Sequence, residues 1–388
     1  MFDAPVLRNL IAPLAVALVT MMLPPATAAA GARDVAQVSR RSRIVAYVTS
    51  WSQPVAIDTR YVTHANFAFA LIDDAGRVAV SSGAADGRLR EIVAVRRAHP
   101  TLRVLASVGG WGADGFSDAA LYDQSRRRFA ESAIALLRRY DLDGIDLDWE
   151  YPGQDVAGIK ARPEDRENFT KLLATLRAQL NAESRRIHRR AGDQYLLTIA
   201  TADREYFDHV EMEKLHPYVD WINVMAYDFY NSLTRTTGHH AGLRRTEAAP
   251  LTDRWAEASI EQHLAAGVPA SKLVLGVAFY GRRFEGVAPA NDGLNQPYEK
   301  YGGEHSYRDL VDNFIDRHGY VRHWDRRAMA PWLWNPATHS FVSYDDPESI
   351  RLKAAFARKL GGVMFWELSQ DTPRGALLES IAVGLDVH

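Results

Sequence analysis

Four acidic residues crowd into one short segment near the middle of the chain. Within DLDGIDLDWEYP, residues 141–152, the eight positions 143–150 contain Asp143, Asp146, Asp148 and Glu150. Side chains alternate between the two faces of a β-strand, so the last three acids would lie on one face. Three carboxyl groups in a partly enclosed space cannot all ionise at low cost. We therefore expect one to stay protonated as a general acid while another stays charged, as acid–base catalysis requires.

A bare D-x-D-x-E pattern has two other interpretations. It could be the solvated acidic face of an edge strand in an antiparallel sheet, or an oxygen cluster that binds calcium or magnesium. The surrounding sequence favours catalysis, because the segment is the fourth of eight apolar, β-rich runs, most of them separated by amphipathic helical patterns. These runs are residues 43–51, 64–72, 103–111, 144–150, 195–202, 219–228, 272–281 and 361–368.

The eight runs predict a closed (β/α)8 barrel, an α/β fold, over residues 43–388. The outer face of a barrel strand packs on helices, so Ile145, Leu147 and Trp149 should point outwards and the acids into the lumen. Glu150 then falls at the C-terminal end of its strand, where the active sites of such barrels lie.

The connection between the seventh and eighth runs is too long for a bare loop. Residues 344–360 have the pattern of a crossover helix, whereas residues 284–341 are rich in aromatic residues and glycine and are mixed in pattern. We predict a small α+β insertion at 284–341, beside the catalytic face of the barrel.

Composition narrows the class of protein. The chain has 388 residues, with 46 Lys and Arg against 48 Asp and Glu, and no cysteine. The near-neutral balance argues against nucleic acid and anionic membranes as partners, and the lack of cysteine excludes disulfides and thiolate metal sites. Residues 1–30 have the pattern of a secretory signal peptide, followed by a leader at 31–42. We expect a secreted protein, extracellular or periplasmic, without membrane contact after signal cleavage.

Several motifs resemble those of glycoside hydrolase family 18, the chitinases. The acidic segment is similar to the family signature D-x-x-D-x-D-x-E, SVGGW at 107–111 to its S-x-G-G, and MAYD at 225–228 to its M-x-Y-D. FYGR at 279–282 and GVMFW at 362–366 resemble its motifs on the seventh and eighth strands. The resemblance extends over residues 43–385, and the predicted insertion resembles that of the deep-cleft members.

The resemblance implies a retaining hydrolase of β-1,4-linked N-acetylglucosamine polymers, chitin and chito-oligosaccharides, that uses no cofactor or metal. The nucleophile in this family is the substrate's own 2-acetamido group, which forms an oxazolinium ion. By the same resemblance, Glu150 protonates the glycosidic oxygen and Asp148 holds the acetamido N–H. Asp146 would share a proton with Asp148.

The resemblance also implies which residues position and bind the substrate. Tyr227 would aim the acetamido carbonyl, Asp228 would contact the distorted sugar or its acetamido group, and Asp143 would support the acidic row from below. Aromatic rings pack on the apolar faces of sugars, although ordinary barrel packing is the alternative for each aromatic residue. The expected binding residues are Trp366, Trp111, Tyr47, Phe69, Met225, Tyr151, Tyr280, Arg282 and Gly110.

Some alternatives stay open. Residues 201–205, TADRE, depart from the small residues and proline common in the family, so the shape of that wall is not predicted. His239 and His240 are expected to be solvated or hydrogen-bonded, because no third metal ligand stands at suitable spacing. Peptidoglycan or N-glycan linkages are alternative substrates, and a non-catalytic chitin-binding lectin is a further possibility. The insertion favours chitin, and the intact Glu150 favours an enzyme, which we expect to be a monomer.

Overall fold

The computed structural model describes residues 42–81, 83–190, 192–247 and 253–387. The predicted signal peptide and almost all of the predicted leader lie outside these residues. Within the described ranges, no helix is long and apolar enough to cross a membrane.

Eight parallel strands close into a barrel, which confirms the predicted fold. Each barrel strand pairs with the next along the chain, and the eighth pairs with the first, where Arg43 aligns with Gly362. A two-residue strand, Val78–Ala79, pairs antiparallel with the end of the second. The barrel strands are Arg43–Thr49, His64–Ile72, Arg103–Gly109, Gly144–Asp148, Leu196–Thr201, Trp221–Val224, Leu273–Ala278 and Gly362–Trp366.

Helices follow most of the barrel strands, as the amphipathic patterns predict. The α-helices of the barrel are Gly83–Ala98, Phe116–Leu121, Asp123–Tyr140, Asp165–Arg186, Met212–Leu215, Ala256–Ala265, Pro347–Ala357 and Ala376–Leu385. Shorter 3-10 segments are Arg204–His209, His216–Tyr218, Ala270–Lys272, Ala290–Gly293 and Leu368–Gln370.

The acidic strand separates two apolar layers. Ile145, Leu147 and Trp149 belong to the layer between strands and helices. There the Trp149 ring stacks on Phe116 at 5.2 Å and meets the Phe169 ring edge-on at 5.4 Å. A separate inner cluster contains residues of the other strand faces, and the acids share that inner side. The alternation of a single strand therefore places apolar residues outwards and carboxyl groups inwards.

A second sheet is inserted between the seventh and eighth barrel strands. It is antiparallel and contains Tyr280–Glu285, Lys300–Ser306, Val321–Asp325, Ala330–Asn335 and Ser340–Ser343, with the helix Tyr307–Asn313. The run 272–281, predicted as one strand, is two strands that belong to different sheets. The second of these strands, Tyr280–Glu285, packs so closely on its neighbour that a Cβ on Gly281 would lie 2.8 Å from the Ser343 carbonyl oxygen. The inserted sheet thus begins before residue 284, and Tyr280 and Arg282 lie on it.

Candidate active site

The acidic row begins with Asp143, just before the fourth barrel strand. Its carboxylate accepts hydrogen bonds from Arg103 Nη1 at 3.0 Å and from the Val104 N–H at 2.9 Å. Arg96 Nη1 lies 3.5 Å from the same carboxylate. Because Asp143 is buried and compensated by these arginines, it ties the fourth strand to the third and to a helix. It does not line the cavity described below.

Asp146 is the next member of the row, and four donors surround it. Its Oδ2 accepts from the Tyr47 hydroxyl at 2.8 Å and the Ser107 hydroxyl at 2.7 Å. Its Oδ1 accepts from the Thr198 hydroxyl and, at 3.2 Å, from Asn223 Nδ2. Burial raises the pKa of Asp146, while these hydrogen bonds act in the opposite direction. The four donors come from four different barrel strands, so the closed barrel itself builds this environment.

Asp148 and Glu150 form the upper end of the row. Among the residues that the structure describes, the buried Asp148 Oδ1 has no hydrogen-bond partner. Burial raises the pKa of Asp148 well above its usual range, and the charges of Glu150 and Asp146 raise it further. Glu150 is half-buried at the strand end, and burial raises its pKa to about 7 despite a hydrogen bond from Tyr151. Burial therefore favours the protonated forms of the two acids at this end of the row.

A third carboxyl group, Asp228, lies on the loop after the sixth strand. Arg282 donates to it from Nε at 2.8 Å and from Nη2 at 2.6 Å, and the Tyr280 hydroxyl donates at 2.8 Å. Burial raises the pKa of Asp228, but the adjacent His240 ring and the charge of Arg282 outweigh burial and lower the pKa well below its usual range. Asp228 is therefore an ionised carboxylate with both oxygens engaged.

A cavity of about 1010 Å³ lies at the C-terminal ends of the barrel strands. The Trp366 ring stacks with Phe69 at 5.7 Å and lies 5.6 Å from the Tyr47 ring. Two exposed indoles also line the cavity: Trp51, 6.4 Å from the Trp366 ring, and Trp111. Flat aromatic surfaces beside proton-carrying acids are suited to binding and cleaving a sugar chain.

Most of the predicted site residues meet at this cavity, although Asp143 and Asp146 lie beneath it. Gly110 has φ 95°, and a Cβ there would lie 2.5 Å from a ring carbon of Phe69, so this position requires glycine. The Tyr227 hydroxyl lies 3.8 Å from the sulfur of Met364. The predicted residues that line the cavity are Tyr47, Phe69, Gly110, Trp111, Asp148, Glu150, Tyr151, Met225, Tyr227, Asp228, Tyr280, Arg282 and Trp366.

Other lining residues were not predicted. Trp51 follows the first strand, and its position at the end of a β-rich run was an available signal. The TADRE wall contributes Asp203 and Glu205 to the cavity. Asp203 is paired with Arg254, and the Ser259 hydroxyl donates to it at 3.0 Å. This wall is therefore polar, which the sequence alone did not indicate.

The two adjacent histidines have different environments. His239 Nε2 lies 3.2 Å from Asp325 Oδ2, in the inserted sheet, so it is hydrogen-bonded as expected. His240 faces Asp228 instead, with Nδ1 3.6 Å from Asp228 Oδ1.

A closed parallel barrel with a proton-carrying acid at the C-terminal end of a strand and aromatic cavity walls defines an acid–base hydrolase site of the glycosidase type. Comparison with known sequences agrees with this class. The chain belongs to the glycosyl hydrolases family 18, whose family model matches residues 43–371.

Curated relatives carry chitinase names. Chitinase A1 of Niallia circulans is 40% identical over 303 residues, which cover 74% of this chain and 43% of that protein. Chitinase B of Serratia marcescens is 31% identical over 387 residues, covering 83% of this chain and 76% of that protein. The chain thus spans less than half the length of the Niallia enzyme.

Solved structures agree in fold. Chitinase ChiW from Paenibacillus sp. superimposes with a TM-score of 0.83 at 39% identity, covering 89% of this chain and 43% of that one. A family 18 N-acetylglucosaminidase from Paenibacillus barengoltzii has a TM-score of 0.82 at 38% identity, covering 89% of this chain and all of that one.

Proposed function

We propose that this protein is a secreted retaining hydrolase of chitin and chito-oligosaccharides, and that the substrate's own 2-acetamido group is the nucleophile. The observation that carries the proposal is the pair Asp148 and Glu150. A buried acid whose pKa is raised well above its usual range lies next to an acid at the cavity whose pKa is about 7. Such a pair can donate one proton and then stabilise a positive charge.

Two other carboxylates close to this pair, Asp228 and Asp146, are poor nucleophiles. Both oxygens of Asp228 are engaged by Arg282 and Tyr280, and Asp146 lies beneath the cavity with four donors. An oxygen whose lone pairs accept strong hydrogen bonds is less available to attack an anomeric carbon. This favours a nucleophile on the substrate over a glycosyl-enzyme intermediate.

In the first step, protonated Glu150 donates its proton to the glycosidic oxygen, and the C1–O bond breaks. The acetamido carbonyl oxygen forms a bond to C1 from the opposite face, which gives a cyclic oxazolinium ion. Tyr227 would hold that carbonyl in line, an orientation effect that removes entropy from the barrier. As positive charge develops, Asp148 passes its proton to Asp146, and its own negative charge faces the oxazolinium N–H.

In the second step, water attacks C1 as the bond to the acetamido oxygen breaks. The Glu150 carboxylate takes the proton of this water, so the acid of the first step is the base of the second. Two inversions at C1 give a product of retained, β configuration. As the positive charge is lost, the proton on Asp146 returns to Asp148, so the enzyme ends with Glu150 and Asp148 protonated as at the start.

Known complexes support N-acetylglucosamine oligomers as substrates. The Group IV chitinase of Ostrinia furnacalis, 26% identical to this chain, was solved with allosamidin. A Group II chitinase domain from the same insect, also 26% identical, was solved with the oligosaccharide (NAG)5. By analogy, Trp366, Trp51 and Trp111 would bind successive sugar rings along the cavity.

Digestion of chitohexaose, peptidoglycan and an N-glycopeptide by the same preparation tests this assignment. We expect release of short chito-oligosaccharides from chitohexaose and little or nothing from the other two substrates. Cleavage of peptidoglycan or of the glycopeptide alone would overturn the substrate assignment. Binding of chitohexaose without cleavage would indicate a lectin.

A second candidate follows from the N-acetylglucosaminidase of Paenibacillus barengoltzii, which this chain matches over its whole length. That relative's activity would correspond to release of single N-acetylglucosamine units by the same chemistry. The products of the chitohexaose digestion separate the two candidates. Monosaccharide as the first product indicates an N-acetylglucosaminidase, whereas disaccharides and trisaccharides indicate a chitinase.

A further inference from the structure

His240 is a buried polar residue that the proposed mechanism does not use. Its side chain has no solvent exposure, and its Nδ1 lies 3.6 Å from Asp228 Oδ1. Its ring lies 5.3 Å from the ring of Tyr280, which donates to the same oxygen of Asp228. A buried imidazole is costly to leave unpaired, so its place behind a carboxylate of the cavity calls for a reason.

The backbone of His240 also holds Asp228 in place. The His240 N–H donates to Ser343 Oγ at 2.8 Å, in the inserted sheet. The His240 carbonyl accepts from the N–H of Phe229, the residue after Asp228, at 2.9 Å. Asp228 itself has φ 59°, a left-handed conformation that non-glycine residues adopt only when neighbours support it. His240 thus joins the loop of Asp228 to the inserted sheet.

We infer that His240 is a positioning residue: its ring donates Nδ1–H to Asp228 and fixes the direction in which that carboxylate faces the substrate. This inference rests on the proposed function, because it assigns His240 an effect on catalysis through Asp228. The separation of 3.6 Å closes to a hydrogen bond with a small movement of either side chain, and such contacts commonly tighten when substrate binds.

The charged groups around the His240 ring are consistent with a neutral imidazole that donates a hydrogen bond. Asp228 and Arg282, which line the cavity, and Asp345, which does not, all act on the ring by their charges. The Tyr280 hydroxyl donates to Asp228 beside it. Lys353 Nζ lies 2.6 Å from Asp345 Oδ1 and compensates that carboxylate. Burial lowers the pKa of His240, although Asp228 opposes this, so the ring is neutral near pH 7. Because Arg282 already supplies the positive charge, His240 contributes direction rather than charge.

The contact between His240 and Asp228 predicts a specific pattern of mutational effects on kcat and KM. In H240L, kcat should fall about ten- to a hundredfold with KM within about threefold, because the carboxylate loses orientation rather than sugar contacts. In H240N, whose amide can donate one N–H, most of this loss should be restored. H239L is the matched control: His239 lies on the same loop but pairs with Asp325, so kcat should stay within about twofold of wild type.

A double-mutant cycle with Asp228→Asn tests whether His240 acts through Asp228. We expect H240L to have little further effect on kcat in the D228N background. Full, additive losses in the double variant would overturn the inference, as would a loss in H239L equal to that in H240L. Should H240L fail to fold, the same cycle is run with H240Q, and additive losses there would likewise overturn the inference.

Crystal structures of wild type and H240N separate this inference from the proposed function. We expect the Asp228 carboxylate to keep its contact with Tyr280 in H240N and to rotate away from it in H240L or H240Q. An unchanged carboxylate in every variant, with unchanged kcat, overturns the role of His240. If the wild type cleaves no N-acetylglucosamine polymer, the proposed function fails while the carboxylate positions still test the His240 contact.

Discussion

The two ends of the acidic segment have opposite surroundings. At the lower end, Asp143 is met by Arg103, Arg96 and a backbone N–H. At the upper end, no arginine in the described part of the chain pairs with Asp148 or Glu150, and burial raises the pKa of both acids. Carboxyl groups a few residues apart therefore divide between two tasks: a compensated charge connects elements of the fold, and an uncompensated acid retains a proton for chemistry.

The largest expected effect is at Glu150. Glu150→Gln should lower kcat on chitohexaose by about a thousandfold or more, because the amide cannot donate the proton that the leaving oxygen needs. Glu205→Gln is the matched control, since Glu205 is an exposed acid that lines the same cavity. Steady-state kinetics with a thermal melt measures both. Activity above a few per cent of wild type in Glu150→Gln would assign the acid elsewhere.

The different surroundings of the two ends of the acidic segment predict that substitutions at Asp143 and Asp148 have different effects on stability. Asp143→Asn should lower the free energy of unfolding by about 1–3 kcal/mol, because it removes a buried carboxylate that accepts from Arg103 and from the Val104 N–H. Asp148→Asn removes an uncompensated buried acid and should leave stability unchanged or raise it while lowering kcat. Urea unfolding of both variants at pH 7 provides the test. Equal destabilisation would contradict the division of the segment.

The raised pKa of Glu150 predicts the alkaline limit of activity. kcat/KM should fall about tenfold per pH unit above about pH 7, because only the protonated acid can donate. The folded state then binds more protons than the unfolded state between about pH 4.3 and 7, so stability should decline as pH rises through this interval. A pH–rate profile flat to pH 9 would exclude Glu150 as the limiting acid.

The smallest expected effect is at Trp51, which is 66% exposed and lies at the periphery of the aromatic group around Trp366. Trp51→Ala should raise KM for chitohexaose a few-fold, by about 1 kcal/mol of lost sugar contact, with kcat nearly unchanged. The KM of Trp51→Phe should lie between those of wild type and Trp51→Ala. A loss confined to kcat would assign Trp51 a role other than binding.

Much of the fold could be predicted because strand alternation and strand spacing are local. The runs at 64–72 and 103–111 correspond closely to strands His64–Ile72 and Arg103–Gly109. The runs at 219–228 and 272–281 were too long for single strands. The first run leaves its strand after Val224 and turns at Asp228, where φ is 59°, and the second joins another sheet at Tyr280. Both events depend on partners far along the chain, such as Arg282 and Ser343.

The features of the site also divide into those that the sequence predicts and those that it does not. The direction of the acids follows from alternation, and motif resemblance names the residues at strand ends. The compensation of Asp143 and the four donors to Asp146 involve residues from several elements that meet only in the closed barrel. The contact of His240 with Asp228 depends on how the loop after the sixth strand folds back on itself. Sequence spacing does not determine these distances, although they decide which acid keeps its proton.

The most direct test of the account is the anomeric configuration of the first product. Proton NMR spectra recorded within the first minutes of chitohexaose digestion, before mutarotation, resolve the two anomers. A nucleophilic acetamido group predicts the β-anomer as the initial product, with the α-anomer appearing later at the rate of spontaneous mutarotation. Initial release of the α-anomer would show a single inversion by water and would contradict the proposed roles of Asp148 and Glu150.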